Sequence, residues 1–293
     1  MAKLLSIVIS SLNSAETIGG ALSSILANDF PRDEYEIIVV DGGSTDNTVE
    51  VCRRFSVEPL FCPRKGWASA LNLGVRHAKG DIICITDSDV IVPSDWLRKI
   101  WEFFQSHPDV DGVGGPILAP LNNKNAIQKF AGEIFVEDQN FPTKLTRSQY
   151  GKMWSGGLIC GPNYAYRRET LLNSGGYNES MGSYSDVDIC WRLIKMGKRL
   201  IFNPEIKLVH LGVPSTLNGI IKQQFKWGKG LEETIKIHRT YSATDYLKTK
   251  LHSVYQILRA VSLLFSPTYF LKTKQFLRCI HFISFHLGRI CGH

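Results

Sequence analysis

The chain has 293 residues, of which 44% are apolar, as is ordinary for a globular protein, and this length suits one large domain or one domain with an appendage. The formal net charge of +7 resides at the C-terminal end. Residues 239–293 carry eight Lys or Arg and one acid, whereas residues 1–238 carry equal numbers of acids and bases. Seven scattered cysteines without a Cys-X-X-Cys pair argue against a disulfide framework or a structural zinc site, and they favour a reducing cytosol.

The first third of the sequence alternates short apolar runs, rich in β-branched residues, with segments of helical pattern. The predicted strands cover residues 4–9, 36–40, 57–61 and 81–86, and the predicted helices cover about 13–27, 47–55 and 66–77. The first helix is expected to open on a capping box formed by Asn13 and Glu16. This alternation predicts an α/β fold with right-handed crossovers and a mostly parallel, Rossmann-like central sheet flanked by helices.

Three of these strands end in small polar or acidic residues, and such ends converge on one crevice in a doubly wound sheet. These residues are Ser10 and Ser11 after the first strand, Asp41 after the second, and Asp87 and Asp89 after the fourth. Positions i and i+2 of an extended chain project to one side, so the last two acids can address one cation. The alternative is a turn in which Ser94 caps the next helix.

The loops between these elements exclude two common nucleotide-binding motifs. No dinucleotide fingerprint follows the first strand, and no Gly-X-X-X-X-Gly-Lys phosphate loop occurs in the sequence. The acid after the second strand, Asp41, suits a nucleobase N–H or ribose hydroxyls. Arg64 and Lys65 in a neighbouring loop suit a diphosphate, and the alternative is that they form a solvated pair.

The second half of the sequence contains a polar stretch and a second acidic cluster. Residues 120–150 are polar and are predicted to form a long irregular loop. Asp186 is expected to open a helix, where an acid in the first turn also stabilises the helix dipole. Asp188 is expected either to serve that purpose or to pair with Arg192 four residues later. His210 is predicted to be either a core residue or a metal ligand.

Taken in order, these motifs resemble those of the family 2 glycosyltransferases, which have the GT-A fold. The matching segments keep the family's order and spacing over about residues 5–230. They are Asn13 after the first strand, Ile37–Asp46, Gly66–Gly74, Thr86–Asp89, Gly161–Arg168, Gly175–Glu179, Asp186–Arg192, Asn203–Pro204, His210 and Gln224–Trp227. The resemblance implies a catalytic domain over residues 1–238, with a nucleotide-sugar half (about 1–119) and an acceptor half (120–238).

The resemblance also implies the chemistry, which is inverting transfer of a sugar from a nucleoside diphosphate sugar (a UDP- or GDP-sugar) in polysaccharide biosynthesis. Asp186 would be the general base that deprotonates the acceptor hydroxyl. Asp89, together with His210, would hold a divalent cation, Mn²⁺ or Mg²⁺, that neutralises the leaving diphosphate. The nucleotide-sugar site would comprise Ser10, Ser11, Asp41 for the base, Lys65, and Asp87 for the ribose. The segment that closes over the diphosphate or acceptor would comprise Gln224, Lys226 and Trp227.

Four positions depart from the usual family pattern. Leu12 replaces an aromatic residue that is available to stack on the base, and Gly42 replaces the second acid of an Asp-Asp-Gly-Ser motif. Leu71 stands where an Arg often contacts phosphate. Ser185 replaces the Glu of a Glu-Asp pair, and without this like charge Asp186 is expected to ionise more readily.

The basic tail, residues 239–293, mixes aliphatic and aromatic residues with bases at helical spacing. It is expected either to form a helical cap packed on the catalytic domain or to act as an amphipathic anchor at an anionic membrane surface. An anchor would suit a glycan or polyprenyl-linked acceptor. The cysteines, the missing signal pattern and the lack of an apolar run of about 18 residues predict a cytoplasmic protein, peripheral on the cytoplasmic face of the membrane. Bases interleaved with aliphatics form no nucleic-acid motif, so no nucleic-acid partner is expected.

Two other functions remain open from the sequence. The first is a sugar-phosphate nucleotidyltransferase, a class that usually carries a Gly-rich loop with Arg and Lys after its first strand, unlike the segment Ser10–Asn13. The second is a non-catalytic sugar-nucleotide or membrane-binding protein, which the presence of Asp87, Asp89 and Asp186 argues against.

Overall fold

The computed structural model describes residues 4–120, 125–139, 146–147, 154–155, 159–238, 243–264 and 273–292. Its strands are β1 (Leu5–Ser11), β2 (Tyr35–Asp41), β3 (Leu60–Phe61), β4 (Ile82–Asp87), β5 (Val90–Ile91), β6 (Gly112–Gly114), β7 (Ile117–Leu118), β8 (Thr146–Arg147), β9 (Trp154–Ser155), β10 (Tyr164–Arg167), β11 (Leu200–Phe202) and β12 (Leu208–His210). Its helices are α1 (Ile18–Leu26), α2 (Thr48–Arg54), α3 (Trp67–His77), α4 (Trp96–Ser106), α5 (Ala126–Gln139), α6 (Arg168–Asn173), α7 (Ser185–Lys195), α8 (Leu217–His238), α9 (Ala243–Leu264) and α10 (Thr273–Cys291).

The strands form two sheets. Within the described residues, the main sheet has nine strands in the order β3-β2-β1-β4-β10-β6-β11-β9-β8, and β5, β12 and β7 form a second sheet. β1 to β4 pair in parallel, which confirms the predicted parallel arrangement of the first strands. β10 runs antiparallel to both of its neighbours, β4 and β6, whereas β6 and β11 are parallel. The sequence pattern did not predict this reversal.

The main hydrophobic core explains why the first strands are continuous apolar runs. α3 packs against β1 and β2, and a Cβ added to Gly74 of this helix would overlap the Val8 side chain. Glycine therefore permits a closer approach of helix and sheet than any other residue would. Leu71, on the same helix, is fully buried in this core. This packing fixes the carboxyl ends of the parallel strands, where the polar residues lie.

The predicted capping box of Asn13 and Glu16 is wrong. α1 begins at Ile18, and Asn13 has a left-handed backbone with a φ of 50°. The Asn13 Oδ1 accepts the Thr45 N–H at 2.9 Å, and the Asn13 N–H donates to the Ser44 Oγ at 2.9 Å. Because Asn tolerates the left-handed region better than most residues, it links the end of β1 to the turn after β2.

The irregular loop predicted over residues 120–150 is wrong in part, because α5 occupies much of it. Apolar residues recur there at helical spacing, a signal that the many polar residues around them obscured. They join a buried cluster that consists of Phe130, Ala131, Val213, Ile220 and Leu277. The rest of the predicted loop lies partly outside the described residues, at positions 121–124, 140–145 and 148–150.

The chain divides into two compact units. The first comprises residues 1–120, 136–180 and 185–212 and contains both sheets, and the second comprises residues 121–135, 181–184 and 213–293. The tail boundary predicted between residues 238 and 239 adjoins positions 239–242, which lie outside the described residues, and it stays a prediction.

In the second unit, α10 packs against both α8 and α9. A Cβ added to Gly228 of α8 or to Gly288 of α10 would overlap the backbone of the other helix, so these two backbones touch. The buried Glu232 carboxylate of α8 lies 3.1 Å from the Lys250 Nζ of α9 and 3.6 Å from the Arg289 Nε of α10. In the described part of the chain, no helix combines the length and the apolarity needed to cross a membrane.

Candidate active site

Two carboxylates and an imidazole form a cluster at the carboxyl end of β4. Asp87 ends that strand, Asp89 follows two residues later, and His210 ends β12. β12 pairs with β5 so that His210 lies opposite Val90, and the Leu211 N–H donates to the Asp89 carbonyl oxygen at 2.7 Å. One potential ligand atom from each of the three side chains lies within 4.8 Å of the others. The structure therefore brings together the two acids and the histidine that the sequence singled out.

The pKa values of this cluster are those expected for crowded, partly buried charges. Burial, reinforced by the negative charges of Asp89 and Asp186 and opposed by the charge of His210, raises the pKa of Asp87 to about 6. A hydrogen bond from the Trp67 Nε1–H to the Asp87 Oδ1, at 3.2 Å, acts in the opposite direction. Burial alone would lower the pKa of His210, but the hydrogen bond and charge of Asp89 outweigh it and raise that pKa.

This donor set fits a divalent cation. Carboxylate oxygens are the ligands that Mg²⁺ and Mn²⁺ prefer, and an imidazole nitrogen adds a ligand suited to a transition metal. The charge of Asp89 raises the pKa of Asp87, so the two acids repel one another. A cation between them would relieve that repulsion. Asp89 and His210, whose Oδ1 and Nε2 atoms lie 3.2 Å apart, are the residues that would hold it.

The polar ends of β1 and β2 lie beside the same edge of the sheet. Strand register places Ser10 next to Asp87 and Ser11 next to Asp41. The Asp41 Oδ2 accepts the N–H groups of Gly43 and Ser44, each at 3.0 Å, and the Asp41 Oδ1 accepts the Ser44 hydroxyl. The carboxylate of Asp41 therefore holds the Gly-rich turn in place. The convergence predicted from the sequence is observed.

Asp186 is held at the same edge by two backbone N–H groups. Its Oδ2 accepts the Gly161 N–H at 2.7 Å and its Oδ1 accepts the Val187 N–H at 2.9 Å. Gly161 precedes β10, whose first residue, Tyr164, pairs with Ile85 near the end of β4. Burial raises the pKa of Asp186, although both N–H groups act to lower it. Ser185 supplies no like charge that would raise this pKa, but burial, which the local sequence does not encode, raises it.

The second acid of this helix has a structural role. The Asp188 side chain is buried and its Oδ2 accepts the Arg192 Nε–H at 2.9 Å, which confirms the predicted pairing. The Arg192 guanidinium also donates to the carbonyl oxygens of Ser174 and Gly176, each at 2.6 Å. Asp188 and Arg192 therefore join α7 to the Gly-Gly turn after α6, and Asp186 is left as the acid available for chemistry.

Comparison with known proteins decides the family. Residues 6–173 match the family model described as Glycosyl transferase family 2. The chain belongs to this family. Poly-beta-1,6-N-acetyl-D-glucosamine synthase from Staphylococcus epidermidis is 28% identical over 262 residues, which cover 87% of this chain and 60% of that protein. The corresponding synthase of Staphylococcus aureus (strain COL) is 28% identical over 254 residues. The chain thus spans about 60% of the length of these relatives.

Solved structures with the same fold confirm the predicted GT-A architecture of the chain. A mannosyltransferase from Pyrobaculum calidifontis, PcManGT, in complex with GDP-Man and Mn²⁺, has a TM-score of 0.64 at 21% identity, covering 97% of this chain and 87% of that one. TarS 1-349 of S. aureus, in complex with UDP-GlcNAc, has a TM-score of 0.57 at 15% identity, covering 98% and 90%. At these identities the likeness shows the fold.

The loop after β3 carries the residues that were considered as contacts for a diphosphate. The exposed Arg64 guanidinium pairs with the Glu179 carboxylate at 2.7 Å, and both interpretations of this loop, a diphosphate contact or a solvated pair, stay predictions. Asn72 donates to the same carboxylate and to the Tyr177 carbonyl oxygen, each at 2.9 Å. Lys65 is exposed. The buried Leu71 faces the core, so its position offers no contact to a phosphate.

Sequence reasoning missed two members of this site region. Trp67 donates to Asp87 and packs edge-on against Tyr177, with ring centroids 5.6 Å apart. The Glu179 carboxylate accepts hydrogen bonds from Arg64, Ser69 and Asn72. These bonds hold residues 175–179 against the start of α3. The Gly175–Glu179 motif was visible in the sequence, but a single sequence does not show that this motif contacts the loop after β3.

The segment expected to close over the diphosphate or acceptor lies on α8, in the second unit. Gln224 is 3% exposed and its Oε1 has no hydrogen-bond partner among the described residues. The backbone carbonyl of Lys226 accepts the Ser183 hydroxyl at 3.3 Å. Trp227 is half-buried. The roles of these three residues stay predictions.

Proposed function

We propose that the protein transfers a sugar from a nucleoside diphosphate sugar to a hydroxyl of a glycan or polyprenyl-linked acceptor, with inversion at the anomeric carbon. The observation that carries this proposal is the presence of two distinct acidic groups at one sheet edge. One is the cluster of Asp87, Asp89 and His210, and the other is the carboxylate of Asp186. Such a transfer needs one group for the leaving diphosphate and another for the attacking hydroxyl.

The donor would lie along the ends of β1, β2 and β4. Asp87, oriented by Trp67, would accept ribose hydroxyls. The Ser11 Oγ is buried and has no hydrogen-bond partner among the described residues, so it is available to a donor group beside Asp41. Ser10 lies next to Asp87 in register. The mannosyltransferase and TarS structures, which hold GDP-Man and UDP-GlcNAc, support a nucleoside diphosphate sugar of either base.

Two sources of positive charge, a bound cation and a lysine, would contact the diphosphate. Asp89 and His210 would hold Mn²⁺ or Mg²⁺ beside it, and when bound the cation would neutralise the charge that develops on departure. The nitrogen ligand favours Mn²⁺, because Mg²⁺ prefers oxygen ligands alone. Lys65 would supply the remaining positive charge, since Leu71 offers none and Arg64 is paired with Glu179.

Asp186 would remove the proton from the acceptor hydroxyl as that oxygen attacks the anomeric carbon. Two N–H bonds fix the orientation of its carboxylate, and the raised pKa makes it a stronger base than an exposed aspartate. Attack from the face opposite the departing diphosphate inverts the anomeric configuration. Gln224, Lys226 and Trp227 would contact the acceptor or the diphosphate. The named activity of the staphylococcal relatives supports a growing polysaccharide as acceptor.

A panel of UDP- and GDP-sugars with Mn²⁺, assayed for release of the nucleoside diphosphate with and without glycan acceptors, tests this proposal. We expect release from one donor class, and a decrease of about 100-fold or more in Asp89→Asn. Asp29→Asn, which changes a surface acid paired with Arg98, is the matched control and should retain full activity. Undiminished release by Asp89→Asn, or release of pyrophosphate from a nucleoside triphosphate, would contradict the proposal.

We further propose that the second unit binds an anionic membrane surface from the cytoplasmic side through one face of α9. Six apolar residues of this helix are exposed and recur along a single stripe, at Leu247, Leu251, Val254, Tyr255, Leu258 and Val261. Lys248 and Arg259 lie along one side of that stripe. Lysine and arginine are attracted to anionic headgroups and the apolar stripe to the boundary of the acyl chains, which favours a bilayer over a neutral protein surface.

Flotation of the full chain with vesicles tests the membrane proposal. We expect binding to vesicles that contain phosphatidylglycerol and much weaker binding to phosphatidylcholine alone. The double substitution Leu251→Glu/Leu258→Glu should abolish it, whereas Gln223→Glu/Gln256→Glu, which adds the same charge off the stripe, should weaken it only slightly. Equal flotation of both double variants would overturn the proposal.

A further inference from the structure

The loop that joins β3 to α3 runs between two acids of the candidate active site. At the start of this β3–α3 loop, the Cys62 N–H donates to the Asp41 carbonyl oxygen at 2.8 Å. Directly after the loop, the Trp67 Nε1–H donates to the Asp87 Oδ1 at 3.2 Å. Lys65 lies between these two attachment points and is exposed. The loop therefore carries the charge of Lys65 along the edge at which the diphosphate of the donor would lie.

One ion pair ties the middle of the β3–α3 loop to another part of the described chain. The Arg64 guanidinium lies 2.7 Å from the Glu179 carboxylate, and the Arg64 side chain is 79% exposed. The other printed side-chain bond of this region is internal to the loop, from the Cys62 thiol to the Arg64 carbonyl oxygen at 3.1 Å, and a thiol is a weak donor. The conformation of the loop beside Lys65 thus depends on Arg64 and Glu179.

The Glu179 carboxylate is fixed by other residues as well. Its Oε1 accepts the Asn72 Nδ2–H at 2.9 Å, and its Oε2 accepts the Ser69 hydroxyl at 3.1 Å. The Asn72 side chain also exchanges two bonds with the backbone of Tyr177, at 2.9 and 2.8 Å. Hydrogen bonds, of which that from Asn72 is the strongest, outweigh the effect of burial and lower the pKa of Glu179. The carboxylate is therefore ionised at neutral pH and held against α3.

The segment that precedes Glu179 is also held from the side of α7. The Arg192 guanidinium donates to the carbonyl oxygens of Ser174 and Gly176, each at 2.6 Å. The Glu179 side chain is 26% exposed, far less than that of Arg64. Of the two partners in the ion pair, Glu179 is thus the anchored one, and Arg64 is the one whose position it determines.

We infer that Glu179 is a positioning residue for donor binding, which acts through Arg64 to hold the β3–α3 loop in the conformation that presents Lys65 to the diphosphate. This inference rests on the proposed nucleoside diphosphate sugar donor, and it adds a residue that acts without touching that donor. A loop that is ordered before binding loses less conformational freedom when the diphosphate arrives, so the complex is tighter. If Glu179 instead competed with the diphosphate for Arg64, its removal would strengthen binding.

Titration of UDP, GDP and inorganic pyrophosphate in the presence of Mn²⁺ tests this inference. Glu179→Gln keeps the size of the side chain and removes its charge. We expect it to weaken pyrophosphate and the tighter-binding nucleotide by about 3- to 10-fold. In sugar transfer, the KM of the donor should rise by the same factor while kcat stays within about twofold, a split that a general loss of folded protein would not produce.

Two further combinations test the route through Arg64 and Lys65. Arg64→Gln should match Glu179→Gln, and the double variant should be no weaker than either, because all three break one ion pair. In a Lys65→Gln background, Glu179→Gln should have no further effect on pyrophosphate. Glu58→Gln is the matched control, since it breaks another exposed ion pair, with Arg53, and should change no affinity.

The outcomes separate the inference from the proposal on which it rests. If the unmodified protein binds neither UDP nor GDP, the proposed function fails and the positioning role fails with it. If it binds a nucleotide and Glu179→Gln leaves the affinity for pyrophosphate unchanged or strengthens it, the positioning role alone is overturned. An equal loss with and without Lys65 would overturn it as well.

Discussion

Replacement of Asn163 by alanine probes the part of the fold that holds the candidate base. Asn163 is 1% exposed. Its Nδ2 donates to the carbonyl oxygens of Pro116 and Ile206, at 3.0 and 2.9 Å, and its Oδ1 accepts the indole N–H of Trp96 at 3.0 Å. It thereby joins three segments two residues after Gly161, whose N–H binds the Asp186 carboxylate.

The loss of these hydrogen bonds sets the expected decrease in the free energy of unfolding. Asn163→Ala leaves the buried Trp96 N–H and the Ile206 carbonyl without this partner, whereas the Pro116 carbonyl retains the Leu208 N–H. Each orphaned buried group costs about 1–3 kcal/mol, so the free energy of unfolding should fall by about 4 kcal/mol. For a chain of this size that corresponds to a decrease in Tm of about 10 °C.

Thermal unfolding followed by near-ultraviolet circular dichroism measures this change. Asn178→Ala is the matched control, because the exposed hydrogen bonds of the Asn178 side chain are to Ser180 in its own turn, and its Tm should fall by less than about 3 °C. A decrease for Asn163→Ala no larger than that of the control would refute the reasoning.

Three further predictions follow from the site and the backbone. Mn²⁺ should bind more weakly as pH falls through about 6, because protonation of Asp87 removes negative charge from the cluster; a pH-independent Kd in calorimetry would contradict this. Trp67→Phe removes a donor that lowers the Asp87 pKa, so the same loss should begin at higher pH; an unshifted profile would count against the assigned hydrogen bond. Gly115→Ala should prevent stable folding, because its Cβ would overlap the Ile206 carbonyl oxygen, while Gly182→Ala, with open space around it, should express and melt normally.

The strand ends could be predicted from the sequence because the end of each apolar run is also where the polar, ligand-binding residues occur. Each buried apolar run stops at a polar residue, and parallel strands bring their carboxyl ends together. Asp41, Asp87 and Asp89 could therefore be assigned to one edge before any geometry was known. The pairing of Asp188 with Arg192 was predictable for a similar reason, since residues four apart on a helix are neighbours.

Other features depend on tertiary contacts that local pattern does not contain. The antiparallel β10 inserts between β4 and β6, and no residue of its short sequence signals strand direction. Asn13 resembles a helix cap because Glu16 follows it, but its side chain bonds to Thr45, 32 residues away. The raised pKa of Asp186 reflects burial, which a list of neighbouring charges cannot supply.

The separation of donor binding from proton removal is the central claim, and Asp186→Asn tests it most directly. Two quantities should be measured in the same preparation: the Kd of the donor's nucleoside diphosphate with Mn²⁺, and the rate of sugar transfer. We expect the Kd to change by less than about threefold and the transfer rate to fall by about 10²- to 10⁴-fold, as for loss of a general base. Transfer at more than a tenth of the unmodified rate, or loss of nucleotide binding together with transfer, would contradict the divided site.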